Sequence, residues 1–177
     1  MRLAVALATP RTGAPVRIGV VSDTHNHLPN VARIVELLNQ AQVDRVVHTG
    51  DITQAKTLEV LARLDAPLFG VFGNNDAGER AALEAAAARY SIAIAEPPLE
   101  LFWAERRVLV VHDPRDLASA RRPEHAVALH GHTHRRTVER EGGRLVFNPG
   151  ECAGHLPGHN AVGVVDLATL ETELLLF

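Results

Sequence analysis

The first half of the chain alternates short apolar runs with amphipathic stretches. The apolar runs are rich in β-branched residues and predict buried strands at residues 16–22, 44–48 and 68–72. The stretches between them repeat apolar residues every three or four positions, which predicts helices at residues 31–41, 54–64 and 79–89. Because strands that alternate with helices pair in parallel through right-handed crossovers, this half is expected to form a parallel sheet.

The second half, after Tyr90, is dominated by short strands. The pattern predicts strands at residues 91–95, 99–103, 108–112, 126–130, 137–140 and 144–148, with two more inside residues 160–177. Glu141-Gly142-Gly143 is typical of a hairpin turn, and residues 115–121 are expected to form a short helix. A parallel half followed by a strand-rich half predicts an α/β fold in which two sheets pack face to face with helices outside.

The chain has the length and composition of one ordinary globular domain. It contains 177 residues, of which 46% are hydrophobic and 22% are charged. We expect residues 16–177 to form that domain and residues 1–15 to be an amino-terminal extension. Residues 3–8 imitate the start of a signal peptide, but this apolar stretch is shorter than the usual one of about 7–15 residues. A cytoplasmic protein is therefore expected, with export as the alternative.

Charge and cysteine content exclude several classes of protein. The net charge is −3, so no stable binding to nucleic acid is expected. A single cysteine, Cys152, excludes an internal disulfide framework and a cysteine-based zinc finger. No apolar run reaches the roughly 18–20 residues of a membrane span, so no membrane partner is expected. The unusual feature is histidine, which occurs ten times.

Polar side chains with metal-binding chemistry gather where predicted strands end. They are Asp23, His25, Asp51, Asn74, His112, His132 and His134. Because the carboxyl ends of parallel strands meet at one rim, we expect these side chains to converge there. Residues two apart in an extended chain point the same way, so Asp23 and His25 should face one centre. The same argument applies to His132 and His134.

Seven such groups exceed the needs of one ion and suit two. Mixed imidazole, carboxylate and amide ligands favour manganese, with iron, zinc or nickel as alternatives, over an all-oxygen calcium site. Asp51 is the carboxylate expected to bridge the ions, which two-metal phosphoryl sites hold about 3.5–4 Å apart. Two divalent ions outweigh the charge of two aspartates and a hydroxide, so the cleft should attract a phosphate anion.

The ordered motifs D-x-H, G-D, G-N, H and G-H-x-H resemble those of the calcineurin-like metallophosphoesterases, and most closely their small single-domain phosphodiesterase branch. The resemblance covers residues 16–177 and implies a four-layer α/β/β/α sandwich. It also implies two metal sites that share one aspartate. The first is held by Asp23, His25, Asp51 and His134, and the second by Asp51, Asn74, His112 and His132.

The resemblance implies the activity as well. A hydroxide that bridges the metals would attack phosphorus directly, with Asp51, Asn74 and His112 counted as the catalytic residues. The substrate is expected to be a small phosphodiester or a nucleotide-like molecule, and a homodimer is possible on the resemblance alone. A phosphomonoesterase or a dinucleotide-polyphosphate hydrolase is the enzymatic alternative. A protein-binding scaffold with the same fold is the alternative from another class.

Three positions depart from the family pattern. Asn75 stands where larger relatives carry a histidine that can protonate the leaving group, which an amide cannot do. Asp113, followed by Pro114, stands where the family usually has glycine, directly after the expected ligand His112. Glu151 replaces a serine after the Asn-Pro-Gly turn, and we expect it at the surface rather than in the cleft. His155 and His159 are candidates for the missing acid.

Overall fold

The computed structural model describes residues 16–177, so the expected extension of residues 1–15 lies outside the described residues. Strands and helices follow one another along the described chain, and strands are the more numerous. The strands are β1 (Arg17–Val21), β2 (Arg45–His48), β3 (Leu68–Val71), β4 (Ala93–Ala95), β5 (Leu99–Trp103), β6 (Arg106–Val110), β7 (His125–Leu129), β8 (Thr137–Glu141), β9 (Arg144–Asn148), β10 (Ala161–Asp166) and β11 (Thr172–Leu176). The helices are α1 (Leu28–Gln40), α2 (Ala55–Leu61), α3 (Arg80–Arg89) and α4 (Leu117–Ala120), with 3-10 turns at Asn74–Glu79 and Pro114–Asp116.

The strands form two mixed sheets. The six-stranded sheet has the order β11-β10-β1-β2-β3-β4, in which β1 to β4 are parallel and β10 runs antiparallel to both of its neighbours. The five-stranded sheet has the order β5-β6-β7-β9-β8, with β6, β7 and β9 parallel and antiparallel strands at both edges. The predicted parallel half and the predicted pair of sheets are both confirmed.

Three apolar layers hold the sandwich together. Helices α1, α2 and α3 cover the outer face of the six-stranded sheet through buried leucines such as Leu38, Leu58 and Leu83. The facing surfaces of the two sheets enclose a second core that contains Phe147. Each fully buried side chain of this size contributes about 1.5–3 kcal/mol. A small third cluster lies between the five-stranded sheet and α4. The four-layer α/β/β/α sandwich is confirmed.

Helix α1 packs closely on the sheet because β1 carries a glycine at the contact. A Cβ at Gly19 would lie 2.8 Å from Leu38 Cδ2, so a larger residue would push the helix outward.

Helix α1 begins at Leu28, three residues before the predicted start at position 31. Pro29 favours a first helical turn, and His27 accepts the backbone N–H of Asn30 at 3.4 Å. The predicted helix did not include this turn because the three-to-four spacing of apolar residues begins only at Val31.

Helix α4 is shorter than the predicted helix at residues 115–121. Pro114–Asp116 forms a 3-10 turn and only Leu117–Ala120 is α-helical. The outermost layer on this side is therefore a single turn. Within residues 16–177, no helix combines the length and the apolar character needed to cross a bilayer.

Candidate metal centre

The predicted site residues lie in the loops that follow strands of both sheets. Asp23 and Asp51 follow β1 and β2 of the six-stranded sheet, and His112 follows β6 of the five-stranded sheet. Backbone hydrogen bonds join neighbouring loops, from Asp23 N to Gly50 O at 3.2 Å and from Gly131 N to His112 O at 2.9 Å. The structure therefore brings the strand ends together at one rim, as the sequence predicted.

The backbone of these loops is not extended, which corrects one step of the sequence argument. Five of the seven predicted site residues have positive φ: Asp23 (51°), His25 (42°), Asp51 (59°), His132 (66°) and His134 (56°). Asp23 and His25 thus reach the same centre through left-handed turns and not through strand alternation. A non-glycine residue in this conformation costs of order 1 kcal/mol or more, and such strain is typical of functional sites.

Asp23, His25 and His134 form the first group of possible ligands. His134 Nε2 lies 3.6 Å and His25 Nε2 lies 4.0 Å from Asp23 Oδ1. The two imidazoles stack with their centroids 5.2 Å apart. Asp23 is fully buried and also accepts the Ser22 hydroxyl and the backbone N–H of His132. Three ligand atoms of suitable chemistry therefore lie within 4.8 Å of one another.

Asn74, His112 and His132 form the second group. The Asn74 side-chain oxygen lies 2.9 Å from His112 Nε2 and 3.0 Å from His132 Nδ1. His112 directs its other nitrogen to the carbonyl oxygen of Thr49 at 2.9 Å, so Nδ1 donates there, and in the neutral ring Nε2 is left with its lone pair toward the cluster. Pro114 gives Asp113 the extended conformation expected, with φ −87° and ψ 125°, and His112 nonetheless reaches the group.

Asp51 stands between the two groups with one oxygen toward each. Its Oδ2 lies 3.5 Å from His25 Nε2, and its Oδ1 lies 3.5 Å from His112 Nε2. The Asp51 side chain is nearly fully buried. This arrangement suits a carboxylate that bridges two cations.

The two buried aspartates differ in their electrostatics. Burial raises the pKa of Asp23 above its ordinary value, against the lowering effect of the Ser22 hydroxyl. Burial also acts to raise the pKa of Asp51, but contacts with His112 and Asn75 outweigh it and hold that pKa well below its usual range. Although burial opposes it, the Asp51 carboxylate in turn raises the pKa of His112. The same burial is therefore outweighed at Asp51 but not at Asp23.

The donor set fits divalent metal ions. His25 Nε2 is buried and has no hydrogen-bond partner within residues 16–177, although it faces both aspartates. A buried imidazole nitrogen without a partner is unfavourable unless something else binds it. Imidazole, carboxylate and amide oxygen together are ligands of manganese, iron, zinc and nickel. Four side chains could hold one ion and four the other, with Asp51 in common.

Two residues near the site have roles that the sequence did not predict. Asn75 donates two hydrogen bonds to Asp51, from its backbone at 2.9 Å and from its side chain at 2.7 Å. Glu151 was expected at the surface, but it is fully buried and lies 2.8 Å from His134 Nδ1. The expectation was wrong because the loop after the Asn-Pro-Gly turn folds over the site. Neither contact has a local sequence signal.

The loop after Glu151 brings one of the two candidate acids to the site. The His155 ring lies 5.3 Å from the rings of both His25 and His134, and its side chain is 59% exposed. His159 makes no ring contact with this group among the described residues, and its backbone oxygen accepts a hydrogen bond from Arg136. Of the two histidines proposed from sequence, the structure therefore places His155 beside the cluster.

The contacts of His48 indicate a structural role. It is buried, contacts the Thr24 hydroxyl through Nε2 at 3.1 Å, and accepts the Gly50 backbone N–H through Nδ1 at 3.1 Å. Burial lowers its pKa to about 3, so the ring is neutral. It therefore supports the two loops that carry Asp23 and Asp51.

Comparison with known proteins identifies similar chains over nearly all of the described residues. Residues 16–170 match the family model of the calcineurin-like phosphoesterase superfamily domain. The chain is 31% identical over 155 residues to phosphodiesterase MJ0936 of Methanocaldococcus jannaschii, and the match covers 85% of this chain and 93% of that protein.

Solved structures show the same architecture. A structure described as a novel archaeal phosphodiesterase has a TM-score of 0.81 and 30% identity, and the match covers 92% of this chain and 100% of that one. Yfce, a phosphoesterase from E. coli, has a TM-score of 0.68 and 23% identity, with 86% of this chain and 89% of that chain covered. At this lower identity, the second likeness supports the fold alone.

Proposed function

Because this chain belongs to the calcineurin-like phosphoesterase superfamily, we propose that it is a phosphodiesterase that uses two divalent metal ions. Manganese is the first candidate metal, and the substrate is a small phosphodiester or nucleotide-like molecule. Phosphodiesterase MJ0936, which is 31% identical to this chain over 155 residues, supports the diester assignment. The proposal treats residues 16–177 as one metallophosphoesterase domain of a cytoplasmic protein.

We assign the two groups of side chains as two metal sites. Asp23, His25, Asp51 and His134 would hold one ion, and Asp51, Asn74, His112 and His132 would hold the other. The observation that carries this assignment is the position of Asp51, whose two oxygens lie 3.5 Å from His25 Nε2 and 3.5 Å from His112 Nε2. Asp23 also has His112 within 4.8 Å, but its contacts of 4.0 Å or less are with His25 and His134 of the first group.

The ions, when bound, supply positive charge for the phosphate and lower the pKa of a water molecule so that hydroxide can attack phosphorus. The protein's part is to hold the ligands with their lone pairs directed inward. Burial of Asp23 and Asp51 places their charges where the surrounding medium screens them little. Asn75 fixes the plane of the Asp51 carboxylate, and Thr49 fixes the ring of His112. Asn75 cannot donate a proton to a leaving group, so esters with poor leaving groups should react slowly.

The proposal is tested by hydrolysis of bis(p-nitrophenyl) phosphate with and without Mn²⁺, in the wild type and in Asp51→Asn. We expect manganese-dependent hydrolysis that falls by about 100-fold or more in the variant, because a neutral amide cannot bridge two cations. Asp65→Asn, an exposed aspartate outside the site, makes the same change of charge and should leave the rate unchanged. Equal rates for wild type and Asp51→Asn would overturn the proposal.

Metal content and substrate choice separate the alternatives. Purification without chelators followed by elemental analysis should find two ions per chain in the wild type and fewer in Asp51→Asn. The same enzyme should then be compared on p-nitrophenyl phosphate and on a dinucleotide polyphosphate. A higher kcat/KM for either compound than for the diester would replace the phosphodiesterase assignment with that activity. Metal binding without hydrolysis of any of them would favour the scaffold.

A further inference from the structure

A buried glutamate stands behind one histidine of the candidate metal centre. Glu151 Oε2 lies 2.8 Å from His134 Nδ1, while Oε1 accepts the backbone N–H of Leu156. On the far side of the ring, His134 Nε2 lies 3.6 Å from Asp23 Oδ1. Glu151, His134 and Asp23 therefore form a line that runs from the protein interior to the candidate metal site.

The chemistry of this contact determines which nitrogen of His134 carries the proton. An ionised carboxylate can only accept hydrogen bonds, so a neutral imidazole beside it must donate from the nearer nitrogen. The nearer nitrogen is Nδ1, and Nε2 is then left with its lone pair directed toward Asp23. A free histidine side chain has no such constraint. The contact selects the ring form that a metal at this site requires.

The burial of Glu151 is consistent with a specific partner. The residue has no exposed surface, and a carboxylate removed from water is unfavourable unless hydrogen bonds compensate it. Glu151 accepts a hydrogen bond from the backbone N–H of Leu156 and contacts His134 Nδ1. In addition, His155 Nδ1 lies 3.7 Å from Glu151 Oε2. The bond from Leu156 holds the loop, and the contact with His134 holds the ring.

His132, two residues before His134, offers an internal comparison. His132 Nε2 lies 3.6 Å from Asp113 Oδ2, which is beyond hydrogen-bond distance. Asp113 already accepts bonds from the Arg115 guanidinium and backbone. Asp113 is thus placed like Glu151 relative to its histidine, but it is more distant and already has a strong partner. It should have the weaker influence.

We propose that Glu151 is a positioning residue that holds His134 in the Nδ1–H form and directs its Nε2 lone pair toward the candidate metal centre. This inference rests on the proposed function for its consequence, since the direction of the lone pair matters for a metal ligand. Carboxylates that orient ligating histidines in this way raise metal affinity by about 10–100-fold.

The first test examines the ring itself and requires no metal. The wild type, Glu151→Gln and Glu151→Ala are labelled with ¹⁵N-histidine, and long-range ¹H–¹⁵N spectra of the metal-free proteins report which ring nitrogen is protonated. The His134 signals are assigned with a His134→Gln variant. We expect the Nδ1–H form in the wild type and a mixture in Glu151→Ala. In Glu151→Gln the single amide oxygen can accept from Leu156 or from His134 but not from both, so the spectra should again move away from the Nδ1–H form. An Nε2–H form in the wild type would overturn the proposal, as would identical spectra for wild type and Glu151→Ala.

The second test measures Mn²⁺ binding by calorimetry in the same proteins. We expect affinity at one site to fall by about 10–100-fold in Glu151→Ala and in Glu151→Gln, and by less in Asp113→Asn. Glu139→Gln, an exposed glutamate on β8, should bind like the wild type. Glu151→Gln keeps a similar shape and an acceptor for Leu156, so it remains informative if Glu151→Ala does not fold.

The two tests separate this inference from the proposed function. A wild type that hydrolyses diesters and binds Mn²⁺, with unchanged affinity in both Glu151 variants, would overturn the role of Glu151 and leave the phosphodiesterase intact. A wild type that binds no Mn²⁺ would overturn the proposed function and the metal-directed part of this inference. The ring spectra would then still decide whether Glu151 sets the form of His134.

Discussion

Asn75 holds both oxygens of the Asp51 carboxylate, with its backbone N–H donating to Oδ1 at 2.9 Å and its side-chain amide donating to Oδ2 at 2.7 Å. The sequence suggested only that Asn75 replaces an acid. The structure shows that it fixes the orientation of the residue that faces both groups of ligands. A carboxylate has lone pairs enough to accept these bonds and bind cations as well.

The Asn75→Ala substitution should therefore weaken metal binding. It removes the side-chain bond to Asp51 Oδ2 but retains the backbone bond, so the carboxylate gains freedom to rotate. We expect the affinity for Mn²⁺ to fall by about 10-fold, at the lower end of the range for residues that orient ligands. Calorimetry measures this directly. Asn39→Ala is the control, because it removes side-chain hydrogen bonds to Arg63 and Asp65 at the end of α1, outside the site. Equal losses of Mn²⁺ affinity in the two variants would contradict the prediction.

His155 should affect the leaving group, and His159 should not. The His155 ring stacks on His134 and lies tilted against His25, whereas His159 on the same loop accepts a hydrogen bond from Arg136 through its backbone oxygen. If His155 protonates the leaving oxygen, His155→Ala should slow alkyl phosphodiesters by about 100-fold and leave p-nitrophenyl esters nearly unchanged, since a good leaving group needs no acid. Steady-state rates for both ester classes, compared with His159→Ala, give the answer. A similar loss for both esters in His155→Ala would contradict the role of an acid.

The Gly73→Ala substitution should disrupt the site by steric overlap alone. A Cβ there would lie 2.2 Å from Asp51 Oδ1 and 2.4 Å from Asp51 N, and the backbone cannot yield easily. We expect the free energy of unfolding to fall by about 1–3 kcal/mol and metal affinity to fall with it, as overpacking at a rigid contact predicts. Gly78→Ala is the control, in the 3-10 turn that Gly73 precedes, because its Cβ would meet nothing within 4 Å. Urea denaturation of both variants measures the difference, and equal stabilities would contradict the argument.

Cys152 should make the protein less stable at alkaline pH. The thiol is fully buried and donates to Ala161 O, and burial raises its pKa from 9.0 to about 12. Because the folded pKa is the higher one, this contribution to stability is present below pH 9 and is lost as pH rises toward 12. Between pH 8 and pH 10.5 the wild type should lose about 2 kcal/mol more than Cys152→Ala, since each pH unit above 9 is worth about 1.4 kcal/mol.

Urea denaturation of wild type and Cys152→Ala at each of these two pH values measures how much stability each protein loses. Other groups that titrate in this range are common to the two proteins and cancel in the comparison. The same burial predicts that a thiol reagent added at pH 8 reacts with Cys152 only as fast as the protein unfolds. Parallel losses in wild type and Cys152→Ala, or rapid labelling of the folded wild type, would contradict the prediction.

Much of the fold was predictable because burial leaves a strong local signal. Parallel strands covered on both faces are nearly continuous apolar runs, and β1, β2 and β3 were located to within a residue or two at most ends. The start of α1 differs from the prediction because the regular spacing of apolar residues begins only at Val31, whereas Pro29 and His27 determine the first turn. Helix α4 is short for a different reason, since a 3-10 turn replaces its beginning.

The candidate site was also predictable only in part. The sequence by itself determined which side chains gather at the rim, because a polar residue directly after a buried strand has its position set by the sheet. It could not determine the left-handed backbone of Asp23 and His134, since that conformation depends on neighbouring loops and not on local preference. Tertiary structure alone decided that Glu151 turns inward to His134 and that Asn75 holds Asp51. The two residues of each contact are 17 and 24 positions apart in the chain, respectively. Their hydrogen bonds therefore depend on how the sheets place the loops and not on local sequence.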